Sequence, residues 1–115
     1  MNKKELKNKY IETIQPMGIY QIKNNVNGKI FIGRSNNIQG IINRNKFQLK
    51  SGLHANKDMQ NDFNDVGEAY FTYEVLDYLK PKEDNDYDYT EELKILEAMW
   101  LEKLSPYNEN GYNSK

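Results

Sequence analysis

One acidic residue interrupts the apolar stripe of the last predicted helix. Leu93, Leu96, Trp100 and Leu104 recur there at helical spacing, and Glu97 falls inside the same stripe. Because burial of an unpaired charge is costly, such a carboxylate is expected to bind a cation, to pair with Arg or Lys, or to lie at the lip of a cleft. A salt-bridged Glu at the edge of the stripe is the structural alternative, and the spacing leaves both open.

The composition restricts which other groups could do chemistry. The chain of 115 residues has no cysteine, which excludes disulfides, thiolate zinc sites and cysteine nucleophiles, and His54 is its only histidine. Zinc sites with several imidazoles and nucleases built on paired histidines are therefore disfavoured. A metal ion would be held by oxygen ligands, which favours Mg²⁺ or Mn²⁺.

The elements that must position these groups follow from turn signals and apolar spacing. An Asn27-Gly28 pair between two β-favouring runs predicts a hairpin, and Thr90 is the predicted N-cap of the last helix, which ends at Leu104. Residues 81–89 form an acidic, proline-containing segment that predicts a solvated loop. The predicted helices are 2–14, 37–50, 56–66 and 90–104, and the predicted strands are 17–23, 29–33 and 69–79.

The predicted hairpin carries two short runs, Gly18-Ile19-Tyr20 and Phe31-Ile32-Gly33, separated by ten residues. This pattern resembles the GIY-YIG motif. The agreement continues in order along the chain, at residues 49–54, 59–60, 63–64, 67, 97–100 and 111–113. Over roughly residues 17 to 113, the sequence is similar to the GIY-YIG nuclease family, and in particular to the small nuclease domains of phage intron homing endonucleases.

The resemblance implies an α+β fold, with a three-stranded antiparallel sheet flanked by helices and a shallow site for phosphodiester hydrolysis with one divalent metal ion. We expect one domain over 1–115, with a helical extension at 1–15 and a core at 17–113. Tyr20 stands at the position of the GIY tyrosine, and Glu97 at that of the metal-binding glutamate. Asn113 matches an asparagine near the C-terminus, and His54 matches a histidine of some relatives. We expect Glu97 to meet the Tyr20 phenol across a cleft.

Three positions depart from the family pattern. Phe31 replaces the tyrosine of the second motif, Ile41 stands where the family has its catalytic arginine, and Asn45 stands where relatives often have histidine. Arg34 and Arg44 are the candidates to supply a guanidinium from a different position. Loss of a donor aimed at the transition state costs on the order of 10²-fold in rate, so activity requires that the site was rebuilt.

The net charge of −1 hides two halves of opposite sign. Residues 1–57 contain eleven Lys and Arg against two Glu, whereas residues 58–115 contain five Lys against fifteen acids. Either the basic half forms a face that binds a polyanion, or the halves attract each other within the fold. The candidates for phosphate contact are Lys29, Arg34, Arg44, Lys46 and Lys50.

Three hypotheses remain open at this stage. The first is a metal-dependent DNA endonuclease, and the second is a catalytically degenerate module that binds nucleic acid or a protein without cutting. In the third, the acidic 81–92 segment mimics nucleic acid or docks a protein partner. The absence of a long apolar run and of a secretory signal predicts a cytoplasmic protein.

Overall fold

A computed structural model describes residues 15–82 and 87–115. It shows an α+β fold with a three-stranded antiparallel sheet flanked by helices, as predicted. The predicted helix over 2–14 lies outside the described residues. The elements in chain order are β1 (Met17–Asn24), β2 (Ile30–Ser35), α1 (Ile38–Ser51), α2 (Lys57–Val66), β3 (Phe71–Leu79) and α3 (Thr90–Leu104), with short 3₁₀ turns at Glu68–Tyr70 and Asn108–Asn110.

Strand β1 lies in the middle of the sheet, in the order β2-β1-β3. Its side chains are buried on both faces, except for the half-buried Lys23. Since alternate residues of a strand point to opposite faces, Tyr20 and Ile22 pack with α1 and α2 on one face, and Ile19 lies on the other. The burial of nearly every residue of β1 therefore reflects a strand covered on both sides.

The hairpin between β1 and β2 closes with a wider loop than a two-residue Asn-Gly turn. The Asn24 N–H donates to the Lys29 carbonyl at 2.9 Å, and the Gly28 N–H donates to the Asn24 carbonyl at 2.8 Å. Four residues thus form the loop. Gly28 has a φ of +79°, a left-handed conformation that glycine adopts without steric cost.

Asparagine side chains cap the first turns of α1 and α2. The Asn37 side chain accepts a hydrogen bond from the Gly40 N–H at the start of α1, and the Asn56 side chain accepts one from the Met59 N–H at the start of α2. The prediction of Thr90 as an N-cap was wrong. Thr90 is the first residue of α3, and the Asp88 carboxylate accepts from its N–H at 2.9 Å. The N-cap residue is Tyr89, whose side chain makes no capping hydrogen bond.

The C-terminal tail is part of the core. Tyr112 is buried in the cluster formed by the sheet, α1 and α2, and its N–H donates to the Ile30 carbonyl at 2.9 Å. Strand β3 begins at Phe71, two residues later than predicted, because Glu68–Tyr70 form a 3₁₀ turn. Within the described ranges, none of the helices has the length and apolar character required to cross a membrane.

Candidate active site at the edge of strand β2

Glu97 faces the sheet, as its place in the apolar stripe of α3 predicts. Its side chain is 19% exposed, and Oε1 lies 2.7 Å from Nη1 of Arg34 in β2. A second contact also holds helix α3 against the sheet: the Trp100 indole N–H donates to Asp77 of β3 at 3.0 Å. The carboxylate is therefore paired with a guanidinium from the hairpin, one of the alternatives that the sequence left open.

Tyr20 approaches the same edge from the opposite face of the sheet. Its ring extends across β2 above Gly33, so close that a Cβ at position 33 would lie 2.5 Å from the phenol oxygen. Glycine is required at that position because any larger residue would displace the ring. Because β2 is the edge strand, the Tyr20 hydroxyl lies near the edge of the sheet.

The phenol of Tyr20 retains its proton near neutral pH. Burial raises its pKa above the ordinary value, a hydrogen bond from Asn45 lowers it in part, and the charge of Glu97 raises it again. We expected the Glu97 carboxylate to meet this phenol directly. Instead its hydrogen-bond partner among the described residues is Arg34, and it acts on Tyr20 through its charge.

Asn45 and His54 lie behind Tyr20 and are bonded to each other. His54 Nε2 lies 2.5 Å from Asn45 Oδ1, and His54 Nδ1 accepts a hydrogen bond from the Asn56 N–H at 3.0 Å. Burial lowers the pKa of His54, which favours the neutral ring. Both ring nitrogens are therefore occupied within the protein.

Phe31 fills the space between Tyr20 and His54. Its ring centroid lies 6.3 Å from that of Tyr20 and 6.4 Å from that of His54. It also lines a cleft of about 780 Å³ that runs between the start of α2 and the C-terminal tail, past Lys57 and Lys115. Phe31 thus contributes ring packing at this position but offers no hydroxyl.

Asn113 is bound to the free edge of β2. Its Oδ1 accepts from the Ile32 N–H at 2.9 Å, and its Nδ2 donates to the Ile32 carbonyl at 2.8 Å. The side-chain amide thus bonds to the edge of β2 that faces away from β1, next to the Tyr112–Ile30 backbone bond of the tail. Both ends of the amide are used to hold the tail against the hairpin.

The basic residues proposed for phosphate contact are divided among several sites. Arg34 pairs with Glu97, Lys29 pairs with Asp58 at 3.1 Å, and Lys50 pairs with Glu68 at 2.9 Å. Each of these ion pairs joins the basic half of the chain to the acidic half. The two halves therefore attract each other within the fold, which is the alternative to a single basic face.

Arg44 and Lys46 are the two other candidates in α1. Lys46 places its Nζ 4.9 Å from the centre of the Tyr73 ring. Arg44 is exposed, and none of the ion pairs among residues 15–82 and 87–115 includes it. Of the two arginine candidates, only Arg34 contacts Glu97.

The donor set fits a hard cation only in part. Glu97 presents a carboxylate whose Oε2 takes no part in the contact with Arg34. In the part of the chain that the structure describes, no three His, Asp or Glu side chains form a group that could hold an ion together. Mg²⁺ commonly binds through one or two carboxylates, several waters and substrate phosphates, so a single carboxylate of this kind is compatible with it.

Two features of the site escaped sequence reasoning. The first is the contact between Asn45 and His54, because the sequence marks Asn45 only as a departure from the family pattern. The second is the close approach of Tyr20 to Gly33, for which the glycine of the second motif was the available signal. The acidic segment proposed as a docking surface at 81–92 is described only in part, since residues 83–86 lie outside the described ranges.

Comparisons with known proteins match most of the chain. No protein-family model matches it. Intron-associated endonuclease 1 of Enterobacteria phage T4 is 31% identical over 97 residues, which are 84% of this chain and 36% of that protein. The chain thus spans little more than a third of the length of this relative.

Two solved structures share the fold. One is the catalytic domain of the homing endonuclease I-TevI, with a TM-score of 0.71, 27% identity, and coverage of 86% of this chain and 98% of that domain. A mutant form of the same domain gives a TM-score of 0.70 and 26% identity, with coverage of 86% and 93%.

Proposed function

We propose, from the relationship of this chain to the GIY-YIG nucleases, that it is a divalent-metal-dependent nuclease that cuts DNA at the edge of β2. The observation that carries the proposal is the contact between Glu97 of α3 and Arg34 of β2 at 2.7 Å. It puts a carboxylate and a guanidinium at one edge, close enough to Tyr20 for the carboxylate to raise the pKa of its phenol. A carboxylate can hold a metal ion and a guanidinium can bind a phosphate, and both roles serve metal-assisted phosphodiester hydrolysis.

In this proposal, Arg34 takes over from the missing family arginine. A guanidinium stabilises the negative charge that builds up on the phosphate oxygens as the bond to the leaving group breaks. The side chain is 38% exposed, so it can reach a bound phosphate. Arg44 lacks this contact with the carboxylate, and we assign it, with Lys46 and Lys50, to the DNA backbone.

Glu97 is the proposed ligand of one Mg²⁺ or Mn²⁺ ion, through the carboxylate oxygen that Arg34 leaves free. When bound, such an ion supplies positive charge that polarises the phosphate and makes a water more acidic. Tyr20 donates a hydrogen bond rather than acting as a base near neutral pH, because its pKa is raised. Asn113 and His54 are proposed to hold the site in shape, since their polar atoms are occupied.

Cleavage of supercoiled plasmid tests this function. With Mg²⁺ or Mn²⁺, we expect the protein to convert supercoiled DNA to nicked or linear forms, and Glu97→Ala to lose on the order of 10²-fold or more of that rate. Glu102→Ala is the matched control, because Glu102 is an exposed glutamate on the same helix. Equal background from the wild type and Glu97→Ala would reject catalysis.

A second candidate function is DNA binding without cleavage. Phe31 favours it, because the family hydroxyl is absent there while the ring packing with Tyr20 and His54 is kept. Such a module would bind DNA with an affinity that falls steeply as salt rises, since binding releases counterions from the phosphates. Salt-sensitive binding with no cleavage in either metal would establish it, and salt-independent or undetectable binding would point to a protein partner instead.

A further inference from the structure

We propose that Asp77 and Trp100 are positioning residues, which fix helix α3 across the sheet so that Glu97 stays at Arg34. They act through the helix that carries Glu97 rather than on the substrate. The catalytic consequence of this positioning rests on the proposed nuclease function, whereas the positioning itself does not.

Helix α3 has few features of its own that hold it in place. Leu93 is its one fully buried residue, whereas four residues are buried in α1 and three in α2. The ion pair between Arg34 and Glu97 is partly exposed, and such pairs contribute about 1 kcal/mol or less. Neither feature is strong, so a further specific contact decides how α3 lies on the sheet.

The Trp100 indole supplies that contact. Its N–H donates to Oδ2 of Asp77 at 3.0 Å, and a hydrogen bond to a carboxylate is stronger than one between neutral groups. This bond is partly buried, whereas the one between Arg34 and Glu97 is exposed. Trp100 lies three residues after Glu97, so both side chains leave α3 on the same face. The contact through Trp100 is therefore the firmer of the two.

The sheet presents the two partners of α3 in one row. Ile19 of β1 is paired with Arg34 on one side and with Asp77 on the other. Side chains directly opposite each other in an antiparallel pair lie on the same face of the sheet. Because neighbouring strands are about 4.8 Å apart, Arg34 and Asp77 hold α3 at two points about 10 Å apart, one on each side of β1. Two such points resist rotation of the helix on the sheet, which one ion pair does not.

An irregularity of β3 turns Asp77 toward α3. Val75 is paired with Tyr20 and packs against the core cluster on the side of α1 and α2. Asp77 is paired with Ile19, and Leu76 lies between Val75 and Asp77 without a partner in β1, which makes this a β-bulge. In a regular strand, residues two apart point to the same face, so Asp77 would point away from α3. The extra residue reverses its direction and gives the indole its acceptor.

The first glycine of the hairpin motif accommodates this bulge. A Cβ at position 18 would overlap the carbonyl oxygen of Asp77 and would lie 2.9 Å from the Cα of Tyr78. Both are backbone atoms, which cannot turn away as the end of a flexible side chain can. Gly18 therefore lets the bulged segment of β3 approach β1 and present Asp77 to α3.

The test uses the two arginines of the chain, Arg34 and Arg44, whose guanidinium groups give nitrogen NMR signals. Arg44→Lys identifies the signal of Arg34, and Glu97→Gln shows where that signal lies without the ion pair. We expect Asp77→Ala to move the Arg34 signal toward the position it has in Glu97→Gln, because α3 is no longer fixed. Glu74→Ala is the matched control, since Glu74 is an exposed carboxylate of the same strand, and it should leave the signal in place.

Two conservative variants separate positioning from a general loss of stability. Asp77→Asn keeps an oxygen that accepts from the indole, so it should hold the Arg34 signal near its wild-type position. Trp100→Phe keeps a ring but has no N–H, so it should shift the signal as Asp77→Ala does. Both side chains are half-buried, so these variants are expected to fold. An Arg34 signal that stays in place in Asp77→Ala and Trp100→Phe would overturn the proposal, whether or not the protein cuts DNA.

In the plasmid assay, Asp77→Ala should lose on the order of 10- to 100-fold in the rate constant at saturating DNA, as expected for a misplaced reacting group. Asp77→Asn should restore most of that rate, and the affinity of Asp77→Ala for DNA should stay close to that of Glu74→Ala. Full activity in Asp77→Ala, together with a shifted Arg34 signal, would overturn the catalytic part of the inference. Absence of cleavage by the wild type would reject the nuclease function and that catalytic part with it, whereas the NMR result would still decide the positioning.

Discussion

The two sides of the candidate site are built in different ways. Tyr20, Asn45 and His54 are buried, and Asn45 and His54 are hydrogen-bonded to each other. Arg34 and Glu97 form a charged pair whose side chains are 38% and 19% exposed. Partly exposed ion pairs contribute about 1 kcal/mol or less, so the Arg34–Glu97 pair could exchange partners in the proposed reaction, whereas the buried Asn45–His54 pair is held in one arrangement. The buried residues thus have fixed contacts, whereas the charged side chains at the edge of β2 can change theirs.

The largest stability effect is expected in the interior, from Gly33→Ala. The new methyl group would lie 2.5 Å from the Tyr20 hydroxyl, so the ring must move away from its place above β2. We expect a loss of up to about 3 kcal/mol in the free energy of unfolding, measured by chemical denaturation.

The contact with Tyr20 can be isolated by a double-mutant cycle. In a Tyr20→Ala background, Gly33→Ala should cost much less than in the wild type, because the ring is gone. Equal costs in both backgrounds would show that the close approach is not the cause.

A smaller effect is expected where the tail meets the edge strand. Asn113→Ala removes both hydrogen bonds to the backbone of Ile32 and should cost about 1 to 2 kcal/mol. Asn110→Ala is the control, because Asn110 is exposed in the same tail. The same unfolding experiment measures both variants. Equal free energies of unfolding for the two variants would show that Asn113 does not hold the tail against β2.

The smallest effect is a pH dependence from His54. Burial holds the pKa of the folded state below the ordinary value of 6.5, so the unfolded state binds more protons in this range. Stability from this group is complete above pH 6.5 and is lost as the pH falls through the lower folded pKa. Unfolding curves at several pH values should show this loss, amounting to about 1 kcal/mol per unit of pKa shift.

His54→Gln supplies the comparison for that window. The variant should have a lower free energy of unfolding at every pH. That free energy should change less between pH 6.5 and the folded pKa of His54, because the titrating group is gone. An identical slope for wild type and variant would assign the effect to carboxylates elsewhere.

Much of the fold was predictable because its signals are local. The hairpin and the last helix, with Glu97 turned toward the sheet, depend on signals from neighbouring residues, and the structure confirms them. The errors lie at element ends, such as Thr90, which was predicted as the N-cap of α3 and is instead its first residue.

The site was less predictable because it depends on contacts between distant segments. The stripe predicted that Glu97 faces inward, but not that Arg34, 63 residues away in the chain, is its partner. Asn45 and His54 are only nine residues apart, yet their contact depends on how α1 and α2 pack. Residue types identify the groups, and tertiary packing decides which of them meet.

The most direct test of the account is whether Arg34 has replaced the family arginine. Arg34→Ala should fold normally, because the ion pair it breaks is partly exposed, and should cut plasmid on the order of 10²-fold more slowly than wild type. Adding Ile41→Arg to that variant should restore part of the rate, since it returns a guanidinium to the family position. Two results would contradict this assignment. One is cleavage by Arg34→Ala at the wild-type rate, and the other is a loss of rate in Arg44→Ala that Arg34→Ala does not show.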